Sequence, residues 1–205
     1  MSIRNIIFDM GNVLLRFDRD VFYDRFQIPP EDRPVLTREV FLSLEWARMD
    51  RGSMTEAEAL ESICQRLPLR LHETAKRLIC HWDEPLIPID GMYELVAELK
   101  ELGYGIYLLS NASVRQPEYW ARLPIRQFFD GTLISANVKL VKPQFEIYHK
   151  LLDTFGLKAE ECFFVDDAIG NIEGALCCGI SGAVFHMDIA ELRRNLNAAG
   201  VPVKR

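Results

Sequence analysis

Six side chains scattered along this 205-residue chain could share one chemistry: Asp9, Ser110, Asn111, Lys142, Asp166 and Asp167. Singly, each has an ordinary explanation: Asp9 as a turn residue before Gly11-Asn12, Ser110-Asn111 as a helix cap, Lys142 as a solvated lysine before Pro143, and Asp166-Asp167 as an acidic turn. Together they make a site. Three carboxylates drawn to one point repel unless a cation neutralises them, and hard oxygen ligands favour Mg²⁺, an ion that tends to bring a phosphate with it. A lysine and a hydroxyl beside that ion suit a phosphate dianion. With the repulsion between two anions offset, a carboxylate can attack phosphorus directly and pass through an aspartyl-phosphate.

Whether these residues meet depends on the elements that carry them. Ile3 to Phe8 is a short, nearly continuous apolar run ending in Asp9, the pattern of a strand buried on both faces of a parallel sheet. Ile106 to Leu109 runs into Ser110-Asn111, Phe163 to Val165 runs into Asp166-Asp167, and Ala183 to Phe185 closes the series, with Thr132 to Ile134 a weaker candidate. Between these runs the apolar period becomes helical: Met92, Leu95, Val96, Leu99 and Leu102 form one face stopped by Gly103, and Phe145, Tyr148, Leu151, Leu152 and Phe155 form another stopped by Gly156. Such alternation predicts an α/β fold, a Rossmann-like parallel sheet with helices on both faces. Sheets of this kind bind ligands outside the carboxyl ends of their strands, where Asp9, Ser110, Asn111, Asp166 and Asp167 fall.

From residue 17 to residue 88 the strand signal disappears. Leu36, Val40, Phe41 and Leu44 keep a helical period, as do Leu60, Ile63, Cys64 and Leu67, and then Leu71, Ala75, Leu78, Ile79 and Trp82. Thr55 with Glu58 makes a capping box after the Gly52 turn, and Pro85 and Pro88 break the last helix before the sheet resumes. The expected organisation is a core of 1–16 and 89–205 with a small all-helical insert over 17–88.

Hydrophobic residues make up 49% of the chain and charged residues 26%, which excludes disordered and collagen-like classes. With 24 Lys+Arg against 30 Asp+Glu the net charge is −6, the wrong sign for holding a nucleic-acid backbone. No apolar run approaches the roughly 18 residues of a membrane span, and the first residues lack a signal peptide's apolar core, so no membrane partner is expected. The five cysteines have neither disulfide-framework nor Cys-x-x-Cys spacing and read as small buried residues of a cytoplasmic protein. The sequence leaves the oligomeric state open, a monomer being compatible with it.

Four motifs in order resemble the haloacid-dehalogenase-like hydrolase superfamily over essentially the whole chain: Ile6-Ile7-Phe8-Asp9-Met10-Gly11-Asn12, Leu108-Leu109-Ser110-Asn111, Lys142-Pro143, and Phe164-Val165-Asp166-Asp167 running on to Ala175. The helical insert is similar to the superfamily's small first-class cap, and the chain looks most like the branch of bacterial α-D-glucose-1-phosphate phosphatase. More distantly it resembles the phosphatase domain of soluble epoxide hydrolases. The resemblance implies that Asp9 is the nucleophile and a metal ligand, that the Gly11 carbonyl, Asp166 and Asp167 complete the protein's share of a Mg²⁺ shell, and that Ser110, the Asn111 backbone or amide, and Lys142 hold the transferring phosphoryl group. It also implies that Asn171 buttresses the last loop. A small phosphorylated metabolite is the implied partner, with sugar phosphates, including sugar 1-phosphates, the favoured class.

One position departs from the superfamily's phosphatases, which usually place a second aspartate two residues after the nucleophile to protonate the leaving group and then activate water. Here that position is Gly11. Losing a general acid/base costs about 10²–10⁴ in rate unless another group supplies the proton. Unaided, such an enzyme is expected to prefer anomeric, acyl and aryl phosphates, whose leaving groups depend less on protonation. Asn12 could position water, but a neutral amide cannot take its proton. Specificity is expected in the insert, where the stretch from Glu45 to Gly52 includes Trp46 and Arg51; Arg16 and Arg115 are equally weak candidates, and all four stand outside the expected site. The alternative is a phosphometabolite-binding protein that keeps the fold and the metal site without turnover. A true dehalogenase would gain nothing from the extra carboxylates, and a phosphomutase needs the acid/base that Gly11 replaces.

Overall fold

The computed structural model describes residues 2–204, so the outermost residue at each end of the expected core lies outside it. Five parallel strands form one sheet in the order β3-β2-β1-β4-β5, with β1 Asn5–Phe8, β2 Gly105–Ser110, β3 Gly131–Ile134, β4 Cys162–Asp166 and β5 Ser181–Val184. All five expected strands form, including the weak Thr132–Ile134 run, although β5 starts earlier than Ala183 and ends before Phe185. β1 is central: Phe8 aligns with Leu108 on one side and Val165 on the other. Asp9, Ser110 and Asp166 therefore emerge side by side at one edge, where connections leave for opposite faces of the sheet.

Between β1 and β2 lie α1 (Arg19–Arg25), α2 (Arg33–Leu36) continued by a π turn to Phe41, α3 (Leu44–Asp50), α4 (Glu56–Cys64) and α5 (His72–Cys80). Their apolar stripes close on one another around Phe22, Leu36, Val40, Ile63, Leu78 and Ile79, a cluster separate from those on the sheet. The Thr55–Glu58 capping box forms as expected at the start of α4. The remaining helices are α6 (Met92–Glu101), α7 (Gln116–Trp120), α8 (Ser135–Val138), α9 (Phe145–Phe155), α10 (Ile169–Cys177) and α11 (Ile189–Ala198).

Alternation along β1 divides its side chains between two cores. Ile6 and Phe8 join Leu95, Val96, Leu99 and Leu192 from α6 and α11, whereas Ile7 joins Tyr148, Leu151 and Ala175 from α9 and α10. At α6 the predicted face ends one residue early: Leu102 is the C-cap and exposed, with Gly103 in the left-handed conformation behind it. Phe145 and Leu44 are likewise exposed, because each stands at the first turn of its helix, outside the packed stripe. Of the cysteines only Cys162 is fully buried, and Cys177 is exposed. Among the described residues no helix is long and apolar enough to cross a membrane.

The helical segment meets the sheet domain closely at Gly52, whose φ is +72°; a Cβ there would collide with the Ala136 carbonyl oxygen at the start of α8. Gly52→Ala combines backbone strain with this collision and is expected to lower unfolding free energy by about 1–3 kcal/mol. Urea denaturation would measure it, and an unchanged midpoint would show that the contact does not constrain the chain.

Candidate active site

The β1 and β4 ends bring three carboxylates together: each of Asp9, Asp166 and Asp167 places an oxygen within 4.8 Å of the other two. Lys142, buried beneath them, donates from Nζ to Asp9 Oδ1 at 2.7 Å, to Asp166 Oδ2 at 2.6 Å and to the Leu109 carbonyl at 3.0 Å. All three of its hydrogens are thereby engaged, so Lys142 acts on the site as a fixed positive charge. Burial alone would lower its pKa, but the charges of Asp9 and Asp166 outweigh that and hold it above the ordinary lysine value. For Asp9, burial and the neighbouring Asp166 push the carboxyl upward, and Lys142 opposes them.

The two aspartates at the end of β4 have different surroundings. Asp166 is fully buried and accepts from Lys142, from the Ala168 N–H at 2.8 Å and from Asn171 Nδ2 at 2.9 and 3.1 Å. Asp167 is exposed toward the cavity and accepts from Asn12 Nδ2 at 3.0 Å. Burial and Asp166 raise the Asp167 carboxyl, against the Asn12 hydrogen bond. Asn171 is itself fixed, its carbonyl accepting from the Tyr148 hydroxyl at 2.6 Å. The buttress expected of Asn171 is present.

Asn111 is placed otherwise than expected for its amide. Its Nδ2 donates to the Lys142 carbonyl at 3.0 Å and its Oδ1 accepts from the Lys142 N–H at 2.8 Å, so the side chain braces the lysine's backbone and only the main chain remains for a ligand. Ser110 Oγ lines the cavity with no hydrogen-bond partner among the described residues. Asn12, in the left-handed region at φ 54°, has its amide engaged on both sides, donating to Asp167 and accepting from the Phe17 N–H at 3.0 Å. It is not free to position water. Gly11 is not imposed by the backbone: its φ is ordinary, and a Cβ there would meet Phe17 at 3.6 Å.

Asp9, Asn12, Ser110, Lys142 and Asp167 form the floor of a cavity of about 220 Å³, with Asp166 buried behind it, and its other wall comes from the helical segment. Trp46, Trp82 and Phe17 line it and pack on one another, with Phe17–Trp82 ring centroids 4.9 Å apart and Phe17–Trp46 5.8 Å apart. Tyr119, buried in α7, stands beside Trp82 at 5.0 Å. Arg51 reaches Gln144 instead of the cavity, and Arg115 is engaged by the Cys80 carbonyl, Asp83 and Glu118. Arg16 is exposed outside the site.

Sequence reasoning did not single out Asp50, although it lies in the Glu45–Gly52 stretch marked for specificity. Asp50 closes α3, lines the cavity, and makes no side-chain hydrogen bond among the described residues. Burial, reinforced by Asp9 and opposed by Lys142, lifts its carboxyl to about 7. Glu56, the other added carboxylate, is bonded to Ser113 Oγ.

Among curated proteins the chain is 26% identical to a sesquiterpene phosphatase of Aspergillus oryzae, over 86% of each chain. It is 24% identical to a drimenol cyclase of Aspergillus calidoustus, matching over 99% of its own length but spanning only 38% of that protein. A haloacid dehalogenase family enzyme of Bacteroides thetaiotaomicron, solved as its magnesium complex, superposes with a TM-score of 0.70 at 25% identity, covering 95% of this chain and all of that one. Residues 3–179 match the haloacid dehalogenase-like hydrolase family, a span that includes every residue of the carboxylate–lysine cluster, and the chain belongs to that family.

Proposed function

We propose that this hydrolase is a Mg²⁺-dependent phosphomonoesterase acting on small phosphorylated metabolites, sugar phosphates foremost, through an aspartyl-phosphate on Asp9. The observation that carries the reading is the clustering of Asp9, Asp166 and Asp167, the first two bonded to Lys142, with Asp9 and Asp167 opening on one cavity. Three clustered carboxylates against one buried ammonium leave negative charge in excess, the donor set of a hard divalent cation. Asp9, the Gly11 carbonyl and Asp167 would hold that ion, with Asp166 behind them. When bound, it supplies charge neutralisation at the phosphoryl oxygens. Asp166 is so fully engaged that its part is to position Lys142 and the loop before α10.

The chain's own steps follow from the same contacts. Asp9 lends a carboxylate oxygen to phosphorus while Lys142 balances its charge. Ser110 Oγ and the Asn111 main chain hold the non-bridging oxygens, and Asn12 orients Asp167. The segment 17–88 serves as a cap over the core formed by 1–16 and 89–205, excluding water and shaping specificity. A cavity of about 220 Å³, below the roughly 300–1,000 Å³ of drug-sized sites, fits a small substrate, and the free cysteines fit a cytoplasmic protein. The aromatic wall of Phe17, Trp46 and Trp82 favours a second substrate reading, a phosphate ester whose alcohol presents an apolar face.

The test is phosphate release from α-glucose-1-phosphate, glucose-6-phosphate, acetyl phosphate, glycerol phosphate, p-nitrophenyl phosphate and geranyl phosphate, with Mg²⁺ or with EDTA. Release that requires Mg²⁺ is expected. Micromolar binding of these esters without turnover would favour a binding protein instead.

A further inference from the structure

Gly11 leaves the site without the carboxyl that usually protonates the leaving group, yet the helical segment brings another, Asp50, to the cavity that Asp9 lines. Its position is fixed by the fold. Ser135, fully buried at the start of α8, donates from Oγ to the main-chain carbonyl of Asp50 and accepts from the Ala112 N–H at 2.9 Å. Ala112 directly follows Ser110-Asn111, so one hydroxyl ties the Asp50 backbone to the proposed phosphoryl-binding loop. Two residues further, Gly52 rests on Ala136. From this pinned backbone Asp50 lines the same cavity as Asp9, Lys142 and the neutral Tyr119.

We propose that Asp50, contributed by the helical segment, is the general acid/base of this hydrolase, taking the part left open at Gly11. The inference rests on the phosphatase reading above. As Asp9 attacks phosphorus, the bond from phosphorus to the ester oxygen breaks and the Asp50 carboxyl gives its proton to that oxygen, releasing the alcohol. The Asp50 carboxylate then takes a proton from water as the water oxygen attacks the aspartyl-phosphate. The phosphorus–Asp9 bond breaks, leaving inorganic phosphate, the Asp9 carboxylate and a protonated Asp50. The other carboxyls of the cavity are otherwise engaged: Asp9 as nucleophile, Asp167 with Asn12, and Glu56 with Ser113. A proton donor on the helical segment would also couple chemistry to closure, since it reaches the ester oxygen only when that segment is seated.

The experiment compares wild type, Asp50→Asn and Asp50→Ala, all with Mg²⁺, on glycerol phosphate and p-nitrophenyl phosphate, with p-nitrophenolate also followed on the millisecond scale. On glycerol phosphate, whose leaving group needs a proton, both variants are expected to lose about 10²–10⁴-fold in kcat. On p-nitrophenyl phosphate they should give a rapid burst of one p-nitrophenolate per enzyme and then stall, because nitrophenolate leaves unaided and the phosphoenzyme lacks its base. The burst counts intact sites, so a misfolded variant is recognised by its missing burst and the other variant decides. Glycerol phosphate turnover within threefold of wild type overturns the assignment. So does a folded variant, by unchanged melting, whose burst falls in proportion to its glycerol phosphate turnover. If wild type releases no phosphate from either ester in a Mg²⁺- and Asp9-dependent way, the phosphatase reading itself fails.

Discussion

Asp9→Asn should abolish Mg²⁺-dependent phosphate release, with kcat falling by at least about 10³-fold, because an amide oxygen does not form the phosphoenzyme and no second carboxylate occupies its place. The fold should survive. Asn matches Asp in shape, its Oδ1 can still accept from Lys142 Nζ, and Lys142 keeps its contacts with Asp166 and the Leu109 carbonyl. The substitution also removes one of two neighbouring buried carboxylates whose mutual repulsion helps raise the Asp9 pKa, so the metal-free protein should melt no lower than wild type. Phosphate release and melting, measured on one preparation, check both halves. More than a tenth of wild-type turnover would show that Asp9 is not the attacking group.

The sheet was legible because a strand buried on both faces is written as an apolar run, and because the polar residues that follow such runs sit together at one edge. Asp9, Ser110, Asp166 and Asp167 could be gathered on that ground and Lys142 by its chemistry, and the structure brings them together, all but the buried Asp166 lining one cavity. What periodicity cannot show is where each hydrogen bond goes. The Asn111 amide and the Asn12 amide are chemically suited to hold a ligand or a water, yet both brace neighbouring loops. Asp50 was hidden for a related reason: nothing in the local sequence separates a solvated carboxylate at a helix end from one turned into a cavity. The difference is made by Ser135 and Ala136, more than eighty residues away.

Lys142 offers the largest expected effect on stability. Its side chain is 1% exposed and its ammonium is bonded to two carboxylates, one fully buried and one 12% exposed. Lys142→Met keeps much of the apolar stem and removes the charge, leaving Asp9 and Asp166 facing each other without compensation. Breaking a buried ion pair from one side costs about 3–5 kcal/mol, most of it the penalty of the stranded partner. In EDTA, urea unfolding should therefore show a loss of that size, with phosphate release gone as well. A second substitution separates charge from packing: Asp166→Asn in the Lys142→Met background removes one stranded carboxylate, so the pair should be clearly more stable than the sum of the single losses. Added Mg²⁺ should also recover part of the Lys142→Met loss, since an ion held by Asp9 and Asp167 restores positive charge and stabilises the folded state in proportion to its occupancy. A Lys142→Met loss no larger than the ~1 kcal/mol of a surface pair would mean that the carboxylates are neutralised in another way, and the lysine would lose its place as the counter-charge of the site.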